Sequence, residues 1–138
     1  MTPADYEAAV ALWRATEGLV LRDVDRPEAI ASYLERNPGS SFVAIDGERL
    51  VGTVLCGHDG RRGYLQHLVV APPYRRQGIA RMLVERALGA LREAGILKCH
   101  LMVLPGNTAA RNFWAAIGWA ERQDVVLMSH VPADAPDA

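Results

Sequence analysis

Residues 69–88, "VVAPPYRRQGIARMLVERAL", decide the fold. The stretch opens as an apolar strand, breaks at Pro72 and Pro73, gathers Arg75, Arg76 and Arg81 around Gly78, and continues as an amphipathic helix. A helix that starts here turns its first, unpaired N–H groups back toward the loop, where they and the helix dipole attract anions. Gly78 allows close backbone approach, Ala80 keeps the next turn clear, and the arginines supply planar donors suited to phosphate oxygens. A P-loop needs Gly followed by Lys and Ser or Thr, and a dinucleotide fold needs GxGxxG directly after its first strand. This stretch has neither. The bland alternative is a solvated basic helix start with a chance glycine.

Outward from that stretch the periodicity gives an ordered series of elements. Thr2 can cap a first helix with Pro3 at its first position, and Tyr6, Ala9, Val10 and Trp13 recur at helical spacing. A loop, "ATEGLVLRD", separates it from a second helix that follows Asp25 and Pro27, carries Ile30, Tyr33 and Leu34, and ends at Asn37, Pro38 and Gly39. Three strands follow, "SFVAID", "LVGTVLCG" and "YLQHLVV", joined by turns at Asp46-Gly47 and Asp59-Gly60, which makes an antiparallel meander. The helix from Gly78, closed by Gly95, leads to a strand "LKCHLMVL" that should lie parallel to its predecessor through a right-handed crossover. After the loop "PGN" comes a helix bearing Ala110, Phe113, Trp114 and Ile117, ended by Gly118, and "WAERQDVVLMS" reads as one or two edge strands. Residues 131–138, "VPADAPDA", read as a disordered tail.

Composition narrows the classes. The chain has 138 residues, 50% hydrophobic and 22% charged, which fits one globular domain over 1–138 with a core of its own. A net charge of −1 lacks the basic excess of a dedicated nucleic-acid binder, so any anion site is local and no nucleic-acid partner is expected. Cys56 and Cys99 form no CxxC and have no ligand cluster beside them, so reduced, buried thiols, a cytoplasmic location and no metal are expected. The N-terminus lacks a signal pattern, and the longest apolar run is broken by Lys98 and His100, so no membrane partner is expected either.

The segment from Val70 to Leu88 resembles the acetyl-CoA-binding segment of the GNAT superfamily of N-acetyltransferases: Arg or Gln, two residues, Gly, one residue, Gly or Ala, met here by Arg75, Gly78 and Ala80. Downstream, "NTAARNFWAAIGW" resembles the family's run of Asn, Ala, an aromatic, Gly and a final aromatic. Two motifs in the right order are more specific than either alone. The resemblance implies an α/β (α+β, three-layer) fold with a mixed, mostly antiparallel sheet, whose central parallel strand pair is splayed and flanked by helices. It implies acetyl-CoA as co-substrate and a small-molecule or peptide amine as acceptor, acetylated by direct attack without an acyl-enzyme. The amides of Arg76, Gln77, Gly78, Ile79 and Ala80 would surround the pyrophosphate, with Arg75 and Arg81 at its edges. Leu68, Val69 and Val70 would pair their backbone with the pantetheine arm. Asn107 would bind the coenzyme from the far side of the splay, or cap its own helix, and Trp114 stands at a coenzyme-facing position.

The chain also departs from the family pattern. Trp114 occupies the position that commonly carries a tyrosine acid, and indole can donate a hydrogen bond but no useful proton. Met102 and Tyr64 stand where relatives place a glutamate base. Tyr64 and His67 are therefore the catalytic candidates; in a regular strand His67 would fall on the opposite face from Tyr64. "GHDGRRG" is either a solvated hairpin end or part of the acceptor cleft. Trp13 fits the core stripe of its helix, although its region shapes the acceptor pocket in relatives. The family's usual first strand is missing, and a second subunit covering the exposed sheet edge would give a homodimer. The rival function is a catalytically silent acyl-CoA-binding or regulatory module.

Overall fold

The computed structural model describes all 138 residues, which fall into two compact units, Met1–Leu101 and Met102–Ala138. In the first unit a 3-10 turn at Pro3–Asp5, with Asp5 Oδ2 accepting the Thr2 N–H at 2.8 Å, leads into α1 (Tyr6–Arg14). A second 3-10 turn, Asp23–Asp25, precedes α2 (Pro27–Arg36), which opens on a proline because its first N–H needs no intrahelical partner. The meander β1 (Phe42–Asp46), β2 (Arg49–His58) and β3 (Gly63–Val70) follows, then α3 (Ile79–Glu93) and the two-residue β4 (Cys99–His100). The sheet order is β1-β2-β3-β4, antiparallel except for the β3/β4 pair.

The alternating pattern of β2 is buried on both sides. Leu55 joins Ala9, Val10, Trp13, Ile30, Leu34 and Val69 in a core under α1 and α2. On the opposite face Cys56 Sγ lies 3.9 Å from the Ala87 carbonyl of α3, whose Leu83, Val84, Ala87 and Leu91 are buried. Helices therefore cover both faces of the sheet, and burying one leucine fully contributes about 1.5–3 kcal/mol.

The crossover strand is far shorter than its sequence run. Parallel pairing is confined to Gly63↔Cys99 and Tyr64↔His100, so Gln66–Val70 have no strand partner on that edge. Gly63 sits where sheet and helix meet: a Cβ there would fall 2.5 Å from Leu91 Cδ1 and 3.3 Å from Cys99 Sγ, so only glycine fits without movement. No strand precedes α1, and β1 is a sheet edge.

The second unit contains α4 (Thr108–Ala116), closed by Gly118 at φ 95°. The edge strands expected over 119–129 do not form: the residues carry no strand pairing, and Val125, Val126, Leu127 and Met128 are exposed. Their apolar run satisfied the local pattern for a strand, but a strand exists only where another backbone pairs with it. Residues 131–138 hold only turns, such as the Ala135 N–H to Pro132 carbonyl bond of 3.0 Å.

Candidate coenzyme and catalytic site

The loop after β3 is stiffened by Pro72 and Pro73, which form a 3-10 turn with Tyr74. Arg76 (φ 60°) and Gly78 (φ 81°) both take left-handed backbone, which turns the chain sharply before α3 begins. For arginine this conformation costs on the order of 1–3 kcal/mol, so the loop holds strain that the surrounding contacts must offset. Gly78 is the N-cap of α3, no side chain caps the helix, and a Cβ at Gly78 would meet nothing within 4 Å. The first intrahelical bond is from the Met82 N–H to the Gly78 carbonyl, 3.0 Å. The preceding amides, Gly78 through Arg81, thus face outward as a set of donors at the positive end of the helix.

The arginines are tied loosely around that set. Arg75 Nε donates to the Val70 carbonyl at 3.0 Å, and Arg81 Nε reaches Glu85 at 3.1 Å on the exposed helix surface. Gln77 Nε2 donates to the Pro73 carbonyl at 3.3 Å. Leu68, Val69 and Val70 lie on the part of β3 whose second edge is free of strand pairing.

β3 is not regular. Thr53 pairs with Val69 and Leu55 with Gln66, so Val54 alone faces His67 and Leu68, and His67 takes φ 49°. This β-bulge corrects the expectation for His67, because the extra residue turns its ring onto the α1/α2 side shared by Gln66 and Val69. Three contacts hold it there. Its carbonyl accepts the Thr53 hydroxyl at 2.8 Å, and Thr53 Oγ1 in turn accepts Trp13 Nε1–H at 2.9 Å. The Trp13 ring packs edge-on at 4.6 Å, and His67 Nε2 lies 2.6 Å from Oδ1 of Asp25, which is 6% exposed.

Two clefts of about 230 and 380 Å³ run along α2 and share Tyr33, Arg36 and Gln66. The larger includes Asp25 and the smaller includes His58, Asp59 and Tyr64. Tyr33 Oη is buried without a hydrogen-bond partner, and burial pushes the hydroxyl's pKa up, keeping it neutral and able to donate. It lies over Gly57, where a Cβ would approach to 2.7 Å. "GHDGRRG" forms a hairpin end: Asp59 Oδ1 accepts the Arg61 and Arg62 N–H groups at 2.8 Å each to close it, and His58 and Asp59 line the smaller cleft. Those two amides hold the Asp59 carboxyl below the usual range. Tyr64 is 40% exposed, with its ring 5.8 Å from His100.

In the second unit Asn107 Oδ1 accepts the Ala110 N–H at 3.1 Å, the capping arrangement. Trp114 is 9% exposed and packs edge-on against Phe113 at 5.1 Å and Trp119 at 4.9 Å. The geometry therefore gathers Arg75 to Arg81 at one helix start and places His67 and Tyr64 on the α2 side of the sheet. Sequence reasoning missed Asp25 as a partner of His67, because 42 residues separate them and no local spacing signals the pair.

The site thus combines an uncapped helix start with a strand that leaves its parallel partner after Tyr64. The model of the Acetyltransferase (GNAT) family matches residues 7–119. An acetyltransferase of Sodalis glossinidius is 34% identical over 125 residues, 90% of this chain and 86% of that protein. Among solved structures, AAC(6')-Iy in complex with a bisubstrate analogue, CoA-S-monomethyl-acetylneamine, superposes with a TM-score of 0.75 at 18% identity, covering 96% of this chain and 95% of that one. The PaiA N-acetyltransferase of Thermoplasma acidophilum, in complex with coenzyme A, gives 0.73 at 19% identity, covering 86% and 85%. The chain belongs to the GNAT family of acetyltransferases.

Proposed function

We propose that this acetyltransferase uses acetyl-CoA and transfers its acetyl group to a primary amine by direct attack, with the two units acting as one catalytic domain. The observation that carries the reading is the open start of α3, a ring of free amides with no capping side chain and no neighbour over Gly78. The pyrophosphate would accept from the amides of Arg76 to Ala80, with Arg75 and Arg81 at its edges. The pantetheine arm would bond along Leu68 to Val70, on the edge β4 leaves free. For Asn107 and Trp114 the support is their motif; Asn107 keeps its amide nitrogen for a ligand while its oxygen caps α4.

The amine must shed a proton before its lone pair can attack the thioester carbon. His67 is the base we favour over Tyr64, because a neutral imidazole keeps one ring nitrogen as a proton acceptor and the bulge brings its ring to the α2 side. The developing oxyanion would be met by a backbone N–H at the free edge near Val70. Calorimetric titration with acetyl-CoA tests the coenzyme half, and absence of binding at high micromolar ligand would refute it. Release of free thiol with spermidine, a lysyl peptide or a peptide with a free α-amine tests the transfer, and sustained turnover rules out a silent binding module.

A further inference from the structure

Asp25 is buried, sits in the short turn before α2, and has both carboxylate oxygens engaged. Oδ2 accepts the Arg22 N–H at 2.9 Å, and Oδ1 lies 2.6 Å from His67 Nε2. Its own carbonyl accepts the Tyr6 hydroxyl at 2.9 Å, so the turn is anchored to α1 as well. A carboxylate offers only lone pairs, so the close contact requires the imidazole proton to be on Nε2. The ring's other faces meet Trp13, which is neutral, and the residue's carbonyl is held by Thr53. Asp25 is the carboxylate that bonds the ring, and Arg22 and Tyr6 reach Asp25 rather than His67.

We infer that Asp25 is a positioning residue that fixes His67 as the Nε2–H tautomer and so leaves Nδ1 as the atom that takes the acceptor's proton. The inference rests on the reading of His67 as base. Nδ1 takes one proton from the substrate ammonium, and the freed lone pair forms the N–C bond to the thioester carbonyl carbon. The C–S bond breaks with its electron pair on sulfur, and the second N–H proton, released as the amide forms, neutralises the coenzyme thiolate. The imidazolium that results keeps Nε2–H on Asp25, whose negative charge stabilises it. Anchoring from α1, α2's leading turn and β2 together explains why a left-handed residue persists inside a strand.

The test combines a spectroscopic and a kinetic arm. Nitrogen-15 NMR of the imidazoles should show His67 protonated at Nε2 in the wild-type protein. In Asp25→Asn the side-chain amide can donate to Nε2, so the proton should move to Nδ1. Turnover with acetyl-CoA and a lysyl peptide should then fall on the order of 10²- to 10⁴-fold in kcat, with KM for acetyl-CoA unchanged, as for an imidazole locked in the wrong tautomer. Asp25→Ala, which leaves the tautomer unset, should lose less than Asp25→Asn; unchanged acetyl-CoA binding verifies that each variant folds. A wild-type Nδ1–H tautomer overturns the inference, as does full activity in Asp25→Asn while His67→Asn is inactive. Full activity in His67→Asn removes the base reading itself and the inference with it.

Discussion

Two helix starts in this chain solve the same problem in opposite ways. At α4 the orphan amide of Ala110 is satisfied from within, by the Asn107 side chain at 3.1 Å. At α3 the residue in the capping position is Gly78, which has no side chain to offer, and the amides behind it stay open. The helix that caps itself has its donors occupied, whereas the one that leaves its end bare has donors to spend on a ligand. The distinction lies in one residue at each site, and it can be reversed.

The largest effect should come from closing the open start. Gly78→Asp places a carboxylate where the pyrophosphate is expected; aspartate tolerates the left-handed backbone of φ 81° better than most residues. Acetyl-CoA affinity should fall on the order of 100-fold by calorimetry, since like charge replaces attraction at the helix end, while thermal stability stays within about 1 kcal/mol of wild type. A Gly78→Asp protein that binds as tightly as wild type would show that the amides are not the coenzyme site. Arg75→Ala should follow with a loss of about 10-fold, smaller at high salt because the contact is partly exposed. Opening the closed start should read in stability: Asn107→Ala is expected to cost about 1 kcal/mol, a fall of about 4 °C in melting temperature, and Asn107→Asp to restore most of it.

The smallest effect comes from the α3 side of the sheet rather than from the helix starts. Burial pushes the Cys56 thiol from an ordinary 9.0 to about 12, and burial likewise raises Cys99 to about 11. In the unfolded chain both thiols ionise near 9, so their contribution is fully present below that pH and is lost as pH climbs toward 11–12. Melting temperature should therefore decline above about pH 9, less steeply in Cys56→Ala. Iodoacetamide at pH 8 should leave Cys56 unmodified until the protein unfolds.

Periodicity alone located α1 to α4 and the meander, because each carries one apolar stripe or face. The start of α3 was legible for a related reason: proline, arginine and glycine act through local backbone and charge. What could not be read depends on partners distant in sequence. Nothing in "LQHLV" announces a bulge; it exists because Thr53, Trp13 and Asp25 hold His67 from three elements. The runs "LKCHLMVL" and "WAERQDVVLMS" have strand composition, yet only Cys99–His100 finds a backbone to pair with. Asp25 read as the prelude to a helix, and its role beside an imidazole appears only when the chain is folded.

Gly63 behaves as a fulcrum. A Cβ there would collide with Leu91 and crowd Cys99 at the first rung of the parallel pair, while Val70 at the far end of β3 stands roughly 23 Å away at the usual strand rise. A pivot of about 5° at that pinch would swing the far end by about 2 Å, enough to make or lose a hydrogen bond. A methyl group inserted where no coenzyme atom is expected could thus misalign the thioester by leverage alone.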